Sequence, residues 1–168
     1  YFANLTIGAG AVAGILSHRN FEPSQPRLLG GTIRSNSSQN ELCQGGQADG
    51  GFGLQMQTDS EALLEAGVSL AQRTWNDFKA ELNWSEETPD HVITHQVGRA
   101  HRNRLYEILG LDLAKDFSSF ETLGNVGSVS LPITVALAEE AGSLKKGNRL
   151  AMLGIGSGLS CMMLGMEW

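Results

Sequence analysis

The chain is poor in cysteine, with two thiols, Cys43 and Cys161, in 168 residues. Two cysteines cannot supply the framework of bridges on which small secreted domains rely, so a reducing, cytoplasmic setting is the default reading. Long apolar runs are missing as well. A membrane-spanning helix needs about 18 or more consecutive apolar residues; the sequence contains no such run, and no membrane partner is expected. Cations are scarce relative to anions, 12 Lys and Arg against 18 Asp and Glu, for a formal charge of −6. Nucleic-acid binding depends on clustered cations that displace counterions from phosphate, so a nucleic-acid partner is not expected either.

What remains suits one globular domain: 41% apolar residues, enough to bury a sizeable core, and 21 glycines gathered in short motifs rather than in a linker. The chain opens at Tyr1 and passes directly into "LTIGAGAVAGILS", whose small and apolar residues over 9–17 read as a buried strand. Such an opening at the edge of a core element suggests a piece of a longer protein. "RLLGGTIRS" reads as a second strand, with Gly30 and Gly31 marking a bulge or a close backbone approach. Residues 36–58 are polar and glycine-rich and read as a long loop.

Thr58 and Glu61 form a capping-box pattern, and Leu63, Ala66, Leu70, Trp75, Phe78 and Leu82 then recur at helical spacing. "HVITH" is β-branched and reads as a strand; "RAHRNRLYEILG" reads as a helix stopped by Gly110; "KDFSSF" reads as another short strand. In "GNVGSVSLPITVALAEEAG" the residues from Val129 to Ala138 are apolar or small on every side, which predicts a helix buried all round. Pro132 fits only in its first turn, which places the start near Ser128 or Ser130, and Gly142 ends it. "RLAMLGI" and "LSCMMLGMEW", separated by Gly156-Ser157-Gly158, predict an antiparallel hairpin. The order β, β, α, β, α, β, α, β, β implies an α/β fold with a mixed sheet covered by helices.

Three of the four histidines, His91, His95 and His101, fall within eleven positions. On one helix His91 and His95 could share a metal. On the strand that Val92, Ile93 and Thr94 favour, they lie about 13 Å apart at a ~3.3 Å rise per residue, too far for one ion. His91 then sits at the strand entrance, structural or exposed, and His101 on the following helix as a solvated or capping-type residue. His95 sits where the strand runs out, the end at which ligands collect in α/β sheets. Asn125, in the glycine-flanked "GNVGSVS", precedes the buried helix at a place where backbone can approach a ligand closely.

The set "ITHQV", "RAH", "GNVGSVSLPI", "LKKGNRLAMLGIGSGLSCMM" and the opening "LTIGAGAVAGIL" closely resembles the C-terminal half of thiolase-superfamily condensing enzymes. The resemblance is to the β-ketoacyl-ACP synthase III (FabH-like) branch and, more closely, to the OleA-type branch that joins two acyl-CoA molecules; "HQVG" and "GNVGSVS" stand where the first branch usually has "HQAN" and "GNTSAAS". It implies half of the thiolase fold, a mixed five-stranded sheet with one buried helix, residues 1–17 being the last strand of an absent N-terminal half. It implies Claisen condensation of acyl thioesters through a Cys-His-Asn triad, with His95 and Asn125 as the second and third members. The backbone N–H of Ser157 is placed at a separate oxyanion site. The resemblance also implies that the nucleophilic cysteine lies in the N-terminal half, at the start of that half's buried helix; Cys43 here lies in a polar loop and Cys161 on a strand facing the core. Acyl-CoA or acyl-ACP would be the substrates, without a cofactor or metal. The chain alone is expected to be inactive and to self-associate as a homodimer through its uncovered helix. Two other readings stay open: a non-catalytic acyl or CoA-binding module, and a natural subunit partnered by a separate cysteine-bearing chain.

Overall fold

A computed structural model describes residues 6–22, 25–47 and 54–168. Leu5 and the residues before it, and the "ADGGFG" part of the polar loop, lie outside the described residues.

The main sheet is built from β1 (Arg27–Ser35), β4 (His91–Thr94), β5 (Arg149–Gly156) and β6 (Ser160–Glu167), in the order β1-β6-β5-β4. β6 runs antiparallel to both neighbours, whereas β4 runs parallel to β5, with His91 opposite Leu150 and Thr94 opposite Leu153. The mixed sheet is therefore as expected, and β5–β6 is the hairpin around Ser157. A register shift between Leu28 and Gly30 is the bulge signalled by the Gly30-Gly31 pair. A Cβ on Gly31 would stand 2.4 Å from the Met163 carbonyl oxygen, so only glycine lets β1 lie this close to β6.

Helices cover the two faces by strand alternation. Helix α1 (Ser60–Leu82) buries Leu70, Ala71, Trp75 and Phe78 against Ala151, Leu153, Cys161 and Met163 of the sheet, together with Leu105, Tyr106 and Leu109 of α2 (Arg99–Leu109). Its cap is Asp59, whose carboxylate accepts from the Ala62 N–H at 3.1 Å; the start lies one residue beyond the Thr58 pattern because Thr58 is taken up in a strand. Gly110, at φ 68°, ends α2 as expected. On the opposite face, Val135 and Ala138 of α4 (Ser130–Glu140) pack on Ile93 and Leu150. Pro132 does sit in the first turn of α4. Only one side of this helix is buried, however: Leu131, Ile133 and Leu137 remain half-exposed, because α4 covers only β4 and β5.

Three expectations are corrected. The sheet has four strands rather than five among the described residues, because 115–120 does not extend it: Asp116 makes a single bridge to Val92, and the chain then turns into the short helix α3 (Phe120–Leu123). The Ser119 and Phe120 N–H groups, which a ladder would use, are taken by the Gln96 side chain. The 36–58 segment is not all loop; β2 (Cys43–Gln47) and β3 (Leu54–Thr58) pair as an antiparallel ribbon. Residues 9–17 form no ladder among the described residues; Gly10 lies near Val126 and Val129, whereas Ile15 and Leu16 are 95% and 88% exposed.

Candidate active site

β4 ends at Thr94, and His95 continues its line, donating its backbone N–H to the Leu153 carbonyl at 2.9 Å. That bond fixes His95 at the carboxyl end of β4, beside the carboxyl end of β5. The β5–β6 turn bearing Ser157 leaves the sheet at this same end and is held by paired backbone bonds between Asn36 and Leu159, 2.7 and 2.9 Å. Ser157 itself is exposed. The start of α4 also lies here, because Leu131 approaches Gly154 near the end of β5. Asn125 is in the loop that feeds α4. The segments that carry His95 and Ser157, and the helix that follows Asn125, thus meet at one end of the sheet; among the described residues no direct hydrogen bond joins the His95 and Asn125 side chains.

Asn125 is fastened on three sides. Its backbone N–H donates to the Thr6 carbonyl and its own carbonyl accepts from the Gly8 N–H, both at 2.8 Å. Its side-chain oxygen accepts from the Gly127 N–H at 2.9 Å. That last contact decides the orientation of the amide: a backbone N–H can face only the oxygen, so the NH₂ group is turned away from the loop as a donor.

The His95 imidazole is half-buried and its pKa is depressed to about 4, first by burial and second by the nearby His101. At neutral pH it is therefore uncharged, with one N–H to donate and one nitrogen to accept. His101 is neither freely solvated nor at a cap, but lies inside α2. It is half-buried, its pKa is lowered by burial, and with His95, Leu105, Leu153, Ile155 and Cys161 it lines an apolar pocket between α1, α2 and the sheet. His91, half-buried at the strand entrance, stands at the far end from this pocket.

Neither cysteine has the setting of a nucleophile. Cys43 is on β2, with the Thr58 hydroxyl directed at its sulfur at 3.8 Å. Cys161 is 1% exposed, and burial raises its pKa, which favours the unreactive thiol.

The supporting polar groups were missed in the sequence. Gln96, 4% exposed, donates from Nε2 to the Thr94 carbonyl at 2.7 Å. Its Oε1 accepts from the backbone N–H groups of Phe120 and Ser119, at 3.1 and 3.3 Å, with the Ser118 hydroxyl at 3.0 Å. The Ser119 hydroxyl lies 2.6 Å from that of Thr134, which donates to the Ser130 carbonyl, while the Ser130 hydroxyl accepts from the Val126 N–H at 3.0 Å. Beneath them, the Tyr106 hydroxyl reaches both the Val92 carbonyl at 2.7 Å and Asp116 at 2.9 Å, and Arg102 pairs with the other Asp116 oxygen at 2.9 Å. Burial raises the Asp116 pKa, against the opposing pull of Tyr106 and Arg102. Nothing in a single-residue pattern marks Gln96, because the partners of its Oε1 lie more than twenty residues away.

Comparison with known proteins shows the family to which the chain belongs. Residues 80–168 match the family described as 3-Oxoacyl-[acyl-carrier-protein (ACP)] synthase III C terminal. Over 99% of its length the chain is 43% identical to an acyl-CoA:acyl-CoA alkyltransferase of Shewanella oneidensis, of which it covers 49%. Over 91% of its length it is 26% identical to a β-ketoacyl-[acyl-carrier-protein] synthase III of Rickettsia typhi, covering 48% of that protein. The crystal structure of a Xanthomonas campestris OleA variant with bound lauric acid and lauroyl-CoA superimposes with a TM-score of 0.83 at 40% identity, over 90% of this chain and 43% of that one. The chain spans about half the length of the curated relatives it matches.

Proposed function

Because the chain belongs to the 3-Oxoacyl-[acyl-carrier-protein (ACP)] synthase III C-terminal family, the C-terminal domain of OleA- and FabH-like condensing enzymes of the thiolase superfamily, we propose that it supplies the His and Asn of a Cys-His-Asn triad that joins two acyl thioesters by Claisen condensation. The nucleophilic cysteine, and in the acyl-CoA branch a glutamate base, belong to an N-terminal half whose last strand is the extended 8–17 arm. In this reading the chain is inactive alone.

The reaction has two stages. The cysteine thiolate attacks the first thioester, an acyl–cysteine bond forms, and the CoA or carrier thiolate leaves. A base then removes a proton from the carbon next to the second thioester carbonyl. The carbanion attacks the acyl–cysteine carbonyl, so a carbon–carbon bond forms, the carbon–sulfur bond breaks, and the cysteine thiolate is regenerated. During deprotonation, charge moves onto the second thioester's oxygen. His95 and Asn125 stabilise that oxygen as uncharged N–H donors, and the loss of one such donor costs about 3 kcal/mol, on the order of 10²-fold in rate. The Ser157 backbone N–H serves the oxyanion formed on the acyl–cysteine. No cofactor or metal is required.

The observation that carries this reading is a neutral imidazole at the carboxyl end of β4, with an amide whose NH₂ is turned outward at the same end. The test uses the intact protein, with the cysteine-bearing half present. His95→Ala and Asn125→Ala should each lower condensation of acyl-CoA at least 100-fold, while mass spectrometry still finds the acylated cysteine. Wild-type condensation in both variants refutes the assignment.

A further inference from the structure

We propose that Gln96 is a positioning residue that sets the spacing between the His95 imidazole and the Asn125 amide; this rests on the condensation reading above. Gln96 follows His95 directly, so its backbone moves with the end of β4. Its side-chain amide uses both ends. Nε2 is tied to Thr94, on its own strand. Oε1 gathers the N–H groups of Ser119 and Phe120, on the segment that leads to Asn125. From Ser119 the connection continues through Thr134 and Ser130 to the Val126 N–H, the peptide next to Asn125. A path of hydrogen bonds, joined within Ser119 and Ser130 by those residues' own covalent bonds, therefore starts one residue after His95 and ends one residue after Asn125. Thr94, Gln96, Ser119, Ser130 and Thr134 are all buried, and buried polar groups hold their geometry because an unmade bond there is costly.

The same contacts explain why residues 115–120 fail to extend the sheet. A ladder fixes a segment to the neighbouring strand along its whole length. A single side-chain oxygen fixes it at one point and leaves the chain to turn into α3 and deliver Asn125 to the end of the sheet. Gln96 makes no proposed contact with the reacting atoms; it acts through the two residues that do. Misplacement of a catalytic group by about 1 Å costs on the order of 10²-fold in rate.

The test uses the intact protein and three variants. Gln96→Met keeps the side-chain length and removes both hydrogen-bonding ends. Gln96→Glu keeps the acceptor for Ser119 and Phe120. Thr134→Val breaks the connection further along. Gln96→Met should lower kcat for condensation about 10- to 100-fold, with KM for acyl-CoA within threefold and the rate of cysteine acylation unchanged. Gln96→Glu should recover most of that loss, and Thr134→Val should lower kcat about 3- to 10-fold. A purely structural defect would reduce acylation and condensation together. Condensation within twofold of wild type in folded Gln96→Met overturns the proposal, as does an equal fall in acylation. If Gln96→Met does not fold, Thr134→Val decides by the same criteria. Loss of condensation in His95→Ala and Asn125→Ala alongside wild-type Gln96→Met refutes this inference alone; retention in all of them refutes the condensation reading.

Discussion

Lowering the pH from 8 to 5 should destabilise the chain through His95 by an amount that can be worked from its environment. An imidazole titrates near 6.5 in the unfolded chain and at about 4 in the native one. Between these values the unfolded state binds a proton that the native state refuses, so stability falls as pH falls, by about 1.4 kcal/mol for each pH unit well inside the window. Integrated from pH 8 to pH 5, the loss is about 2 kcal/mol; below pH 4 it levels off at about 3 kcal/mol, since both states then carry the proton. His101, also depressed, adds a loss of the same sign. Carboxylates held low by partners, such as Glu86 beside Lys79, titrate further down. A difference measurement isolates His95: urea denaturation of the 168-residue chain and of its His95→Gln variant, each at pH 8 and pH 5. The variant should lose about 2 kcal/mol less than the parent across that step. Equal losses, or an imidazole signal that titrates near 6.5 by NMR, would refute both the burial argument and the neutral donor it supports.

Tyr106→Phe removes a hydroxyl shared by the Val92 carbonyl and Asp116; it should cost about 1–3 kcal/mol in denaturant melts, the usual price of stranding buried acceptors. It should also raise the Asp116 pKa further, visible as a carboxyl titration shifted upward by NMR. Iodoacetamide at pH 8 should alkylate half-buried Cys43 well before Cys161 in the native chain, and both at similar rates in urea; fast labelling of native Cys161 would contradict its burial. The isolated 168-residue chain should self-associate, because Leu28, Ile33 and Met162, on a face of β1 and β6 that α4 does not reach, are 50%, 60% and 46% exposed. A mass of 18.0 kDa by light scattering at micromolar concentration would count against this.

The parts of the fold legible in the sequence are those where one local rule decides. Val92-Ile93-Thr94 makes a strand whatever surrounds it, Gly110 stops a helix because it alone adopts the left-handed turn cheaply, and Pro132 can occupy only a first turn. The β2–β3 ribbon was hidden because "CQGGQ" is polar and glycine-rich, and "LQMQT" alternates over only two apolar residues, Leu54 and Met56. "KDFSSF" has the composition of a strand, but the Lys115 and Asp116 N–H groups close a local turn onto Asp112 and Leu113, and those of Ser119 and Phe120 are claimed by Gln96, a contact that no window of sequence contains. Burial of residues 9–17 and of the whole circumference of α4 depends on what covers them, which lies beyond any local rule. The position of His95 just past a strand end was legible because Val92-Ile93-Thr94 marks where the strand runs. The amide orientation of Asn125 could not, since it follows from where the Gly127 N–H points.

The crossing of the leading arm with the Asn125 loop is made of bare backbone. A Cβ on Gly8 would lie 2.4 Å from the Leu123 carbonyl oxygen, and one on Gly124, at φ 67°, would lie 2.4 Å from that of Thr6. Two main chains pressed together with no side chain between them have no compliant layer to absorb a displacement. A shift of the arm is therefore passed to the Asn125 peptide directly, through its backbone bonds to Thr6 and Gly8.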